Sequence, residues 1–129
     1  VQKYMTTSPL TVGSDQTLSH AHALLREHRI RHLPVLRGGE LVGMLTERDL
    51  ALIETLKDVD PHTILVEDAM SQSMFSVSPD HPIDDVVSEM AAKKLGSAVV
   101  MQNGKVVGIF TTVDVCTAFA DLLRGRLAK

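Results

Sequence analysis

The segment Gly43-Met44-Leu45-Thr46-Glu47-Arg48-Asp49 returns later in the chain as Gly108-Ile109-Phe110-Thr111-Thr112-Val113-Asp114. The same offset, with no gap, places Val1 on Val66, Met5 on Met70, Val12 on Val77, Asp15 on Asp80, Val35 on Val100, Gly39 on Gly104 and Val42 on Val107. A gapless match of this extent is a duplication, and it limits the possible folds: what one half forms, the other must form too.

The 129 residues, 44% apolar and 22% charged, are enough for a compact core. A formal net charge of -3 with only 3% aromatic residues argues against the basic, stacking surface that nucleic acid requires. The single cysteine, Cys116, excludes an internal disulfide and offers no paired thiolate ligands, so a reducing compartment fits. It reads as a small core residue of the last helix. No apolar run approaches the roughly 20 residues of a membrane span, and the N-terminus lacks a secretory pattern. The expectation is a cytoplasmic protein with no membrane partner. The chain opens at Val1 without an initiator methionine, which leaves room for upstream residues or a larger neighbouring domain.

Within each repeat the hydrophobic period changes in a fixed order. Thr11-Val12 is a short extended stretch, and Ser14-Asp15-Gln16-Thr17 offers helix caps before Leu18, Ala21, Leu24 and Leu25, which share one helical face. The spacing predicts a helix over Leu18–His28. Leu33-Pro34-Val35-Leu36 and Leu41-Val42-Gly43-Met44-Leu45 read as antiparallel strands joined by a hairpin at Gly38-Gly39. After Thr46 a helical pattern resumes through Leu50, Ile53 and Leu56. In the second copy Pro79-Asp80-His81-Pro82 precedes a helix carrying Ile83, Val86, Val87 and Met90, and Asn103-Gly104 marks the hairpin. Each repeat is thus strand, helix, strand, strand, helix: an α/β chain with repeat 1 over 1–56, a polar connector over 57–65, and repeat 2 with a C-terminal helix over 66–129. Arg124 and Arg126 place cations near the end of that last helix, where its dipole favours them. The methionines read mostly as core filler.

Two readings of the repeated motif coexist. Thr-x-x-Asp at a strand-to-helix junction is close to a capping box, with hydroxyl and carboxylate satisfying amides at the helix start. A helix N-terminus with a hydroxyl also attracts phosphate, and a carboxylate beside it can accept two hydrogen bonds from a ribose diol.

The tandem Gly-x-x-Thr-x-x-Asp motif, the Arg31-His32-Leu33-Pro34-Val35 segment and the Met5 and Met70 lead-ins together resemble a pair of cystathionine-β-synthase (CBS) domains over nearly the whole chain. The resemblance implies two β-α-β-β-α repeats packed with pseudo-twofold symmetry, leaving two clefts for adenosine nucleotides. It also implies a regulatory role in place of a catalytic one. Carried over residue by residue, it makes Asp49 and Asp114 the ribose-binding carboxylates and brings Thr46 and Thr111 to the first phosphate. It sets the adenine against Leu10, Thr11, Leu33 and Pro34 in one cleft and against Phe75, Ser76, Ser97 and Ala98 in the other. It further implies that Arg31 and His32 serve the ligand of Thr111 and Asp114 in the opposite repeat, with Arg48 compensating at the Asp49 cleft. The second repeat has Gly96, Ser97 and Val113 at the matching positions.

The expected ligand is AMP, ADP or ATP, the last with magnesium, as a regulatory ligand in energy sensing; no cofactor is required. S-adenosylmethionine and NAD fit the same carboxylate–diol chemistry. The expected partners are a second copy in a homodimer and an unidentified effector protein or domain. No hydrolase elbow, zinc-protease pair, Walker loop or dinucleotide fingerprint is present, so no catalytic residue is assigned. His20, His22, His28 and His32 cluster in sequence, but His20 and His22 point about 200° apart on a helix, so no metal ligand is assigned either. The alternatives are a structural dimerisation module with vestigial clefts and a regulatory fragment of a larger enzyme or transporter.

Overall fold

A computed structural model describes the backbone of residues 1–127 and the side chains of residues 1–125. In chain order its elements are β1 (Thr6–Thr7), β2 (Val12–Gly13), α1 (Leu18–His28), β3 (His32–Arg37), β4 (Glu40–Thr46), α2 (Glu47–Glu54), α3 (Val66–Ala69), β5 (Ser76–Val77), α4 (Ile83–Lys93), β6 (Ser97–Gln102), β7 (Lys105–Thr111) and α5 (Thr112–Leu127). Two compact units result: Leu10–Met74, and Val1–Pro9 together with the chain from Phe75 onward.

In the Leu10–Met74 unit, α1 begins where expected, because the Thr17 hydroxyl accepts from the His20 amide at 3.2 Å. It buries Leu18, Ala21 and Leu25 along one stripe and ends at Arg29, whose left-handed backbone (φ 54°) lets its N–H close on Leu25 and Arg26 carbonyls. Strands β2 and β3 run parallel and β3 and β4 antiparallel, in the order β2-β3-β4. Gly38 (φ 59°) and Gly39 (φ 84°) supply the positive φ of the hairpin between β3 and β4. Leu33, Val35, Leu45 and Val66 are fully buried beneath the helices. The other unit repeats this plan: Val86 and Met90 of α4 lie against Ala98, Val100 and Phe110, and α4 ends at Lys94 with φ 56°.

The compact units do not follow the sequence repeats at their beginnings. β1, which opens the first repeat, pairs antiparallel with β7 of the second, Thr6 opposite Ile109 and Thr7 opposite Gly108. At the matching place Ser71, from the start of the second repeat, bridges Met44 of β4 through two backbone hydrogen bonds of 2.9 Å. Each lead-in therefore completes the sheet of the unit formed by the other repeat. Gly43 and Gly108 make room for this. A Cβ on Gly108 would sit 2.6 Å from Met5 Sδ and 3.1 Å from the Thr6 carbonyl oxygen. One on Gly43 would overlap Met70 Sδ and approach the Ser71 carbonyl oxygen to 3.0 Å. The first glycine of the repeated motif thus admits the lead-in and its methionine.

Two expectations change, and two features are new. The pairing of β1 and the short helix α3 were not anticipated. α2 ends at Glu54, so Leu56 falls outside it and is 55% exposed. Cys116 is exposed, not in the core: it follows half-buried Val115, and one step of helix turns it about 100° towards solvent. Met44 and Met90 are core residues, as read. The Arg126 side chain lies outside the described residues.

Gly43→Ala and Gly108→Ala should each lower stability by about 1–3 kcal/mol through overpacking, measured by chemical denaturation. Met70→Ala should recover part of the loss in Gly43→Ala but none in Gly108→Ala, since each methionine overlaps only its own glycine.

Candidate functional site

Each unit gathers its share of the expected residues at one end of its sheet. In the Leu10–Met74 unit, β2 and β3 are parallel with Val12 opposite Val35, so Leu10 and Thr11 run beside the start of β3, where Leu33 and Pro34 lie. His32 stands opposite Thr46 at the end of β4, and α2 begins at the next residue. Leu33 is fully buried, as is Pro34, so both can present only backbone to a ligand, and Pro34 only its carbonyl. In the other unit Ser76 pairs with Val99, Ser97 with Thr111 and Ala98 with Phe110, which brings Phe75, Ser76, Ser97, Ala98 and Thr111 to the equivalent end. The Phe75 carbonyl accepts from the Val99 amide at 2.8 Å.

At the entrance of α2 the capping box is complete. The Thr46 amide donates to Asp49 Oδ2 at 2.9 Å, and the Asp49 amide donates to Thr46 Oγ1 at 3.2 Å. The Asp49 carboxylate is thereby held at the helix start, with lone pairs still able to accept from a diol. At α5 the clasp is built differently. The Thr111 amide donates to Asp114 Oδ2 at 2.8 Å, and the Thr111 hydroxyl donates to the same oxygen at 3.2 Å. The structural role of the motif is therefore real in both copies, and it fixes the residues that the ligand reading requires.

The surroundings of the two clasps differ in charge. The Arg31 carbonyl accepts from the Glu47 amide at 2.9 Å, and Gly96 does the same for Thr112 at 3.2 Å, so the backbone arrangement is common to both. Only the first copy adds a guanidinium, 77% exposed and 3.7 Å from Glu47. Its partner Glu47 was not expected. An acidic residue in the first turn of a helix is the signal that could have found it. Arg48 is exposed in the same turn. Burial, reinforced by Arg31, lowers the His32 pKa below the usual histidine value, while Asp49 opposes the shift. The backbone of Arg31 and His32 pairs beside Thr46 within their own unit.

The remaining histidines have other company. His22 Nδ1 lies 2.5 Å from Glu54 Oε1, and Arg26 Nη2 lies 3.1 Å from His22 Nε2. Among the described residues no three His, Cys, Asp or Glu side chains converge as a metal site, and no helix is long and apolar enough to cross a membrane.

Known proteins match both halves. The sequence profile of the CBS domain matches residues 1–53 and again residues 66–121. The CBS domain-containing protein YhcV of Bacillus subtilis is 33% identical over 115 residues, 89% of this chain and 81% of YhcV. The chain is also 33% identical over 107 residues to the inosine-5'-monophosphate dehydrogenase of Korarchaeum cryptofilum, where it spans only 21% of the enzyme's length. Among solved structures, AcuB of Vibrio cholerae superposes with a TM-score of 0.88 at 26% identity, covering 100% of this chain and 96% of that one. The CBS domain pair of protein MJ0100, in complex with 5'-methylthioadenosine and S-adenosyl-L-methionine, gives 0.84 at 27% identity, covering 94% and 95%. With two matched segments and neighbours that are themselves CBS pairs, this chain belongs to the CBS domain family and carries two copies of that domain.

Proposed function

We propose that this chain is a non-catalytic regulatory module that binds adenosine ligands, with Asp49 and Asp114 accepting from ribose hydroxyls and Thr46 and Thr111 facing the first phosphate. The observation that carries this reading is the doubled Thr–Asp clasp at a helix entrance, with a strand start alongside it to present backbone to a base. The MJ0100 pair, held in complex with two adenosine compounds, supports the ligand class. AMP, ADP and ATP, the last with magnesium, are the phosphorylated candidates. Occupancy would favour one arrangement of the module and so alter an effector protein or domain. The exposed apolar side chains of α5, with Phe119 59% and Leu122 52% accessible, support self-association as a homodimer.

The two sites are unequal in this reading. Arg31, His32 and Arg48 stand around the first clasp, where the second copy has Gly96, Ser97 and Val113. This difference in charge makes the two sites unequal for phosphate-bearing ligands.

Calorimetric titration with AMP, ATP and S-adenosylmethionine is the test. Removing a carboxylate that accepts charge-assisted bonds of about 1.5–3 kcal/mol each should weaken its own site at least tenfold. Asp49→Ala and Asp114→Ala should therefore reduce AMP affinity to different extents, with folding verified by thermal melting because each change also loosens a helix cap. Equal losses would remove the asymmetry, and no saturable heat from any of these ligands with the wild type would sink the reading. A second expectation concerns protons. Burial and Arg31 lower the His32 pKa and an incoming phosphate would raise it again, so AMP binding should take up protons and strengthen as the pH falls through the histidine range. Binding enthalpies in buffers of different ionisation heat should show that uptake diminished in His32→Gln.

A further inference from the structure

Of the six methionines, four face a different residue across the duplication: Met44 matches Ile109, Met74 matches Pro9, Met90 matches Leu25 and Met101 matches Leu36. Where a methionine only fills volume, a residue without sulfur stands in for it in the other copy. Met5 and Met70 alone match each other. They are also the two whose sulfur lies over the motif glycines. Met5 Sδ is 2.6 Å from the position a Cβ would take on Gly108, and Met70 Sδ overlaps the equivalent position on Gly43.

Met70 packs against the core of the Leu10–Met74 unit and Met5 against that of the other, yet both are only half-buried. A peroxide, scarcely larger than water, can reach a half-buried thioether, whereas Met44 at 7% and Met90 at 4% exposure are shielded. The sulfur attacks one peroxide oxygen: an S–O bond forms as the O–O bond breaks, sulfur gives up an electron pair, and the departing hydroxide takes the remaining proton as water. An apolar thioether becomes a polar sulfoxide. Inside the gap the new oxygen meets another acceptor. The Ser71 carbonyl oxygen is 3.0 Å from the Cβ position of Gly43, and the Thr6 carbonyl oxygen is 3.1 Å from that of Gly108. The amides of Met44 and Ser71 are already committed to each other's carbonyls at 2.9 Å. An oxygen buried without a donor is costly, so the oxidised side chain turns to solvent and leaves its glycine.

We propose that Met5 and Met70 are a paired oxidative modification site, at which conversion to the sulfoxide by a peroxide unfastens Thr6–Thr7 from β7 and Ser71 from β4. Each unfastened lead-in leaves an unpaired strand edge. Methionine sulfoxide reductases reverse the step. Unfastening needs no nucleotide and holds whether or not adenosine ligands bind.

The test treats the whole chain with hydrogen peroxide, locates each sulfoxide by peptide mass spectrometry and follows amide exchange. Sulfoxide is expected at Met5 and Met70, and at the likewise half-buried Met74 and Met101, ahead of Met44 and Met90. The amides of Ser8, Met44 and Ser71, which bond across the two seals, should then exchange at least about tenfold faster. The melting temperature should fall by about 5 °C. A Met74→Leu/Met101→Leu variant should respond as the wild type does, and a Met5→Leu/Met70→Leu variant should not respond. Both sulfoxide reductases with a thiol should restore protection. Met5 and Met70 left intact while Met74 and Met101 are fully converted would overturn the proposal. So would complete oxidation of Met5 and Met70 with exchange at Ser8, Met44 and Ser71 unchanged. If the Met5→Leu/Met70→Leu chain does not fold, the site-resolved oxidation and exchange of the wild type decide the matter.

Discussion

The backbone of β4 and that of β7 each come so close to a lead-in segment that only glycine fits between them. At Gly43 and Gly108 a single methyl group would meet a methionine sulfur and a carbonyl oxygen at once. Those two absences of a side chain let Ser71 and the Thr6–Thr7 strand hydrogen-bond to the outer edge of the central hairpins. An open edge of this kind is a template for pairing with another chain. Closing it from within also anchors β4 and β7, whose last residues, Thr46 and Thr111, start the helices that carry Asp49 and Asp114. The positions of both clasps thus depend on a contact near the middle of the same strand.

Much of this was legible in the residues, for identifiable reasons. α1 has a capping threonine, a four-residue apolar rhythm and a clear stop, and it occupies the span its pattern predicts. The hairpins announced themselves through Gly38-Gly39 and Asn103-Gly104, residues that accept positive φ. β1 and the Ser71 bridge were not legible, because one or two residues of strand carry no period and their partners lie far away in sequence. Nothing local to the glycine of the repeated motif said that its close neighbour was the start of the other repeat. Cys116 was assigned inward because apolar residues surround it, although on a helix with this many apolar positions only part of the circumference can face the core.

The clasp residues were readable for a different reason: Thr and Asp at this spacing satisfy a helix start whatever else they do. Folding and ligand binding draw here on the same atoms. The Thr46 hydroxyl serves as an acceptor for the Asp49 amide, whereas that of Thr111 donates to Asp114. The second carboxylate therefore accepts one hydrogen bond more than the first before any ligand arrives. Identical letters in the two motifs conceal this difference.

The exchange of lead-ins also bears on how such a chain can change over generations. A deletion that removes one entire sequence repeat takes with it the outer strand of the surviving unit, and the survivor is left with an unsealed edge. Leu10–Met74, by contrast, is a contiguous stretch that contains its own seal. Point substitution can separate the two halves in charge, as Arg31 and Gly96 already show, while loss of a half is penalised. A duplicated chain of this design is free to make its copies different but bound to keep both.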